Sequence, residues 1–128
     1  MKHILSLAVL SIIFVSCQES LEERIARENK EFTQTKCPMP LNTESTMYLD
    51  SIVFDKTTHT QSQYFRISDF AIPTNQLRQA LVNELRQEPK YKVHREKGYS
   101  FHYVYRHLNN PDSILFETTI VKEDYQEK

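Results

Sequence analysis

A chain of 128 residues has room for one domain around one core and none for two catalytic domains. Its 16 Lys plus Arg against 17 Asp plus Glu leave no net field to draw in nucleic acid or an anionic bilayer, and its single glycine excludes the glycine-rich loops that cradle phosphates in the nucleotide folds. Seven Tyr and seven Phe without a Trp favour a pleated, half-buried surface, so strands should outweigh helices.

Met1, Lys2 and His3 make a short basic start, and residues 4–15 form an apolar run that only Ser6 and Ser11 interrupt. Spanning a bilayer takes about 20 apolar residues, so a run this short, followed at once by Gln18 and Glu19, reads as the core of a signal peptide covering residues 1–16. The sequence Phe14-Val15-Ser16-Cys17 resembles the lipobox of bacterial lipoproteins, in which a small residue precedes an invariant cysteine. The resemblance implies that Cys17 becomes the new N-terminus and carries a diacylglyceryl group on sulfur. At about 0.8 kcal/mol per buried methylene, several acyl chains make such a tether almost irreversible. It also implies a place: Gln18 stands where lipoproteins kept in the inner membrane commonly carry Asp, which leads to the expectation of an outer-membrane lipoprotein. Glu19, Glu22 and Glu23 are similar to the acidic tract by which some Gram-negative lineages send lipoproteins to the cell surface, so either the periplasmic face or the surface is open. With Cys17 consumed, Cys37 is the remaining thiol, and nothing local to Lys36-Cys37-Pro38 supplies a base to activate it.

Residues 19–32 read as a charged helix in which acids lead and Leu21, Ile25 and Phe32 give a thin apolar stripe. That helix is expected to be a spacer lifting the domain off the membrane. Pro38 and Pro40 block helix and Asn42-Thr43 favours a turn, so residues 17–46 are read as lipidated cysteine, charged helix and linker. The domain proper is placed at residues 47–121, with a polar, frayed tail at 122–128.

Residues 47–54 carry apolar side chains on both faces, the mark of a central strand, and a polar turn leads to a return strand at 63–68. Pro73-Thr74-Asn75 offers a helix start, and Leu77, Ala80, Leu81 and Leu85 draw one apolar stripe before Pro89 ends the run. Residues 91–95 are expected to be a short strand or an extended approach. After Gly98, residues 99–106 alternate strictly, and Asn109-Asn110-Pro111-Asp112 turns the chain into a last strand whose core face is Ile114, Phe116 and Ile120. The predicted class is α+β: a four-stranded antiparallel sheet, ordered strand, strand, helix, strand, strand, with one helix on a face and a charged helix before it.

The row Tyr99, Phe101, Tyr103 and Tyr105 either completes the core or lies on an uncovered side as a binding or dimer surface. Lys97-Gly98-Tyr99-Ser100-Phe101 is similar to the aromatic strand motif of RNA-recognition domains, but Ser100 and Val104 stand where that motif wants a small residue and an aromatic. Nucleic acid is therefore not an expected partner. None of His59, His94, His102 and His107 forms the close pair typical of zinc sites, and no nucleophile motif frames a Ser or Thr. No cofactor, metal or catalytic residue is predicted. The body is similar to small uncharacterised envelope lipoproteins of Gram-negative bacteria. The expected function is a non-catalytic binding or accessory module, held to the membrane through Cys17, meeting an envelope protein or a second copy of itself through its sheet face or through the loops at 55–61 and 108–113. The alternative is a small hydrolase or metal-binding domain built on His94 and His102, which requires the two rings to share a pocket.

Overall fold

In the computed structural model the described residues are 18–70 and 72–126, so the expected signal peptide and the lipidation at Cys17 lie outside them. Ser20 caps the first helix, α1 (Leu21–Lys36), by accepting the Glu23 N–H at 3.1 Å, and Glu22 and Glu23 place negative charge at the positive end of the helix dipole. The chain continues through β1 (Met39–Pro40), β2 (Met47–Asp55) and β3 (Thr60–Ile67). Helix α2 (Thr74–Gln87) follows, then a 3-10 turn (Pro89–Tyr91) and α3 (Lys92–Lys97). Strands β4 (Ser100–His107) and β5 (Asn110–Ile120) and the single turn α4 (Lys122–Tyr125) complete it.

The five strands lie side by side in chain order as one sheet. All neighbours are antiparallel except β3 and β4, which run parallel. This corrects the expected four-stranded antiparallel sheet on two counts. The 14 residues of α2 rise about 21 Å, close to the length of an eight-residue strand, so the helix returns the chain to the end where β3 began and β4 must start in the same direction. The fifth strand comes from the segment read as linker, because Pro40 is tolerated where its missing N–H points away from the ladder, at the sheet edge.

Residues 91–95 form no strand. Pro89 presets the first helical φ of the 3-10 turn, and Gly98, at φ 71°, closes α3 in the left-handed conformation that only glycine adopts freely. Nor is α1 a free spacer. Ile25 is buried with Phe54 and Tyr99, Phe32 packs on the main core, and Thr33 Oγ1 both donates to the Ile52 carbonyl and accepts the Ile52 N–H, each at 3.0 Å. That side chain takes the place of a strand partner beyond the reach of β1, which pairs only with Tyr48 and Leu49. Within the segment expected to be a frayed tail, residues 122–125 form α4, where Tyr125 is buried and its hydroxyl donates to the Tyr99 carbonyl at 2.7 Å.

Alternation sorts the sheet into two faces. Leu49, Phe65, Ile67, Phe101 and Ile120 meet Leu81, Val82 and Leu85 of α2 on the face that carries the helices. The opposite face is mixed: Val104 and Tyr64 lie there beside Arg66, which holds both carboxylate oxygens of Asp50 at 2.9 and 2.7 Å and lies 5.1 Å above the Tyr48 ring.

Candidate functional site

On the helix face, α1 packs along β2 while α2 packs over β4 and β5, and the space between them is a groove of about 350 Å³. Its wall is apolar and comes from the segment before β3: Phe32 of α1, Met39 of β1, and Met47, Leu49 and Ile52 of β2. Its floor is β3 and β4, which place Gln63, Phe65, Tyr103 and Tyr105 there at every second position. Glu84 of α2 and Lys90 of the 3-10 turn stand exposed at the rim.

Tyr103 and Tyr105 are each only 3% exposed, and among the described residues neither hydroxyl has a hydrogen-bond partner. Gln63 donates from Nε2 to the Tyr91 hydroxyl at 3.4 Å. Burial, then Tyr91, Glu84 and Tyr105, holds the Tyr103 phenol far above its ordinary range, and burial, then Glu84 and Tyr91, pushes Tyr105 up to about 12. Both hydroxyls therefore stay protonated, each able to donate one hydrogen bond and to accept others from whatever enters the groove.

The predicted row of four aromatics thus divides. Tyr99 is sealed between Ile25 and Phe54, its ring 5.1 Å from that of Phe54, and its hydroxyl donates to Glu22 Oε1 at 2.7 Å. Phe101 is fully enclosed by Tyr91 and Tyr125, with ring centroids 5.4 and 6.0 Å away. Neither offers surface to a ligand, whereas Tyr103 and Tyr105 reach the groove. Of the 55–61 loop, Gln61 is buried: its Oε1 accepts from Asn29 Nδ2 at 3.0 Å and from His94 Nε2 at 3.1 Å.

His94 and His102 do not converge. His94 lies on the helix face against Tyr91, Tyr99 and Phe101, and burial lowers its pKa. His102 lies on the opposite face, with Nε2 2.6 Å from Glu117 Oε2 and Nδ1 3.3 Å from Ser62 Oγ. The sheet separates the two rings, so the shared pocket that a hydrolase or metal site on His94 and His102 requires is not formed. Among the described residues no three His, Cys, Asp or Glu side chains come together as metal ligands. Cys37 is half-buried, and burial and then the Asp50 carboxylate raise its thiol pKa, which keeps it protonated and a poor nucleophile.

The family described as Domain of unknown function (DUF8479) matches residues 20–116. The chain belongs to this family. Its match begins at the cap of α1 and runs into β5, so the groove and all its lining residues fall within it. No curated protein matches this DUF8479 chain. Three solved structures share its fold. The Pseudomonas aeruginosa protein PA3611, described as secreted, aligns with a TM-score of 0.62 at 8% identity over 85% of this chain and 100% of its own. EpsS, a pilotin of the Vibrio vulnificus type 2 secretion system, gives 0.58 at 11% identity over 84% and 96%. AspS, a type II secretion system pilotin of Vibrio cholerae, gives 0.59 at 15% over 81% and 91%. At such identities the likeness is one of backbone architecture.

Proposed function

We propose that this DUF8479 chain is a membrane-tethered, non-catalytic accessory module of the bacterial envelope, which binds a segment of an envelope protein in the groove above Tyr103 and Tyr105. The observation that carries the reading is the combination of an apolar groove of about 350 Å³ with the hydroxyls of two otherwise buried tyrosines, which open to the groove and which the described fold leaves without partners. An apolar wall supplies affinity and a few placed polar groups supply selectivity, the usual economy of a binding site. The fold held in common with two secretion pilotins supports an accessory role at an envelope assembly. The lipobox-like Phe14-Val15-Ser16-Cys17 supports the tether, and Gln18 an outer-membrane destination. With Cys17 acylated, only Gln18 and Glu19 separate the anchor from the cap of α1, so roughly 10 Å of extended chain joins domain to bilayer.

Two measurements on the full chain in a Gram-negative host test this. Mass spectrometry with membrane fractionation, beside a Cys17→Ala variant, should show acyl mass on Cys17 and a variant released from the membrane. A photo-crosslinking residue in place of Leu41, exposed where it lines the groove, should give a discrete adduct with an envelope protein, and one in place of Thr119 on the opposite face should not. A soluble, unprocessed wild type removes the tether, equal adducts at both positions remove the groove, and an adduct between two copies of the chain replaces the envelope partner by a homodimer.

A further inference from the structure

The charge around the polar floor defines what the groove holds, an inference that rests on the groove being the partner site. Two ionisable groups line it besides the tyrosines, Glu84 and Lys90. Lys90 holds its ammonium over the face of Tyr91, 5.2 Å from the ring centroid, and is not among the charges felt at the Tyr103 and Tyr105 hydroxyls. Glu84 is the ionised neighbour whose charge is felt at both floor hydroxyls, where it opposes a second negative charge. A carboxylate or phosphate brought to those hydroxyls meets repulsion from Glu84. A guanidinium or ammonium meets a carboxylate and two phenol oxygens with open lone pairs. The wall includes Met39 and Met47, unbranched side chains that adapt to the shape of an apolar neighbour.

We propose that the groove reads a lysine or arginine side chain set among apolar residues of the partner polypeptide, with the basic head between Glu84 and the hydroxyls of Tyr103 and Tyr105 and the flanking apolar side chains against Phe32, Met39 and Leu49. The rim carboxylate gives the pair its sign. The floor hydroxyls add two oxygens that accept from the basic head.

The test uses the full chain in phosphatidylcholine nanodiscs, titrated calorimetrically with acetyl-Leu-Lys-Leu-Leu-amide and with the same peptide carrying norleucine or glutamate in place of lysine, with empty nanodiscs as the blank. The lysine peptide is expected to bind at least about tenfold more tightly than either of the others, Glu84→Gln to bring it within about twofold of the norleucine peptide, and Tyr103→Phe to weaken it about fivefold. Glu84 is exposed and the tyrosine change removes one oxygen, so both variants keep the fold. Equal binding of lysine and norleucine, tightest binding of the glutamate peptide, or a lysine preference that survives Glu84→Gln overturns the charge reading while the groove stands. Absence of binding by all three peptides overturns the charge reading too, and when it is joined by the absence of a Leu41 adduct in the envelope, the groove falls with it.

Discussion

The hydroxyl of Tyr99 reaches the carboxylate of Glu22 at 2.7 Å across 77 residues of sequence, which ties the first turn of α1 to the start of β4. The bond holds the Glu22 carboxyl below its ordinary value of 4.5, with the helix N-terminal N–H adding to the effect. A carboxylate whose pKa is depressed in the fold adds stability above its unfolded value and loses it as pH falls through the folded one. The melting temperature of Tyr99→Phe is therefore expected below that of the wild type at pH 7, with the gap closing below about pH 4.5. Calorimetric melts of both proteins and of Glu22→Gln from pH 7 to pH 3 check this, and a gap that stays constant with pH contradicts it.

Thr33 supports β2 where the sheet has no neighbour to offer. Replacing it with valine keeps the shape and deletes both hydrogen bonds to Ile52, leaving a backbone N–H and C=O without their partner. The expected loss is about 2 kcal/mol, with Thr33→Ser retaining most of the stability. Urea unfolding of the two variants measures it. A serine variant as weak as valine would assign the effect to the methyl group instead.

His94 joins α3 to α1 through Gln61, and burial lowers its pKa from the ordinary 6.5. Its Nδ1 is buried without a partner among the described residues, so a proton there gains nothing. The unfolded chain takes up that proton at a higher pH than the fold does. Stability is therefore complete above about 6.5 and is lost as pH falls from there to the folded value. Between pH 7.5 and pH 5.5 the urea midpoint of the wild type should fall more than that of His94→Gln. Parallel curves would mean that His94 does not titrate in this range.

The parts of this fold that the sequence shows are those whose signal is local. The stripe Leu77, Leu81 and Leu85 marks α2, and the strict alternation after Gly98 marks β4, because each periodicity is written in adjacent residues. The parallel pairing of β3 and β4 has no such signature, since strand direction follows from where α2 delivers the chain. Three apolar residues on α1 looked too few to bind it, yet Ile25 and Phe32 suffice because Phe54, Tyr99 and the uncovered edge of β2 await them. The groove was legible in only two of its residues. Tyr103 and Tyr105 stood out as aromatics, but their separation from Tyr99 and Phe101 depends on Met39, Met47 and Glu84, which lie far away in sequence and near only after folding.

The parallel seam between β3 and β4 also orders events in time. Each antiparallel hairpin forms from neighbours in sequence, whereas every pair across the seam joins residues 40 apart, a loop whose closure must precede any reward. Along a chain that emerges from its N-terminus, β2 and β3 are present before β4 exists, and β3 waits with a bare row of backbone donors and acceptors. Sequence separation alone thus makes the closure of this seam, rather than of either hairpin, the costly step in forming the sheet.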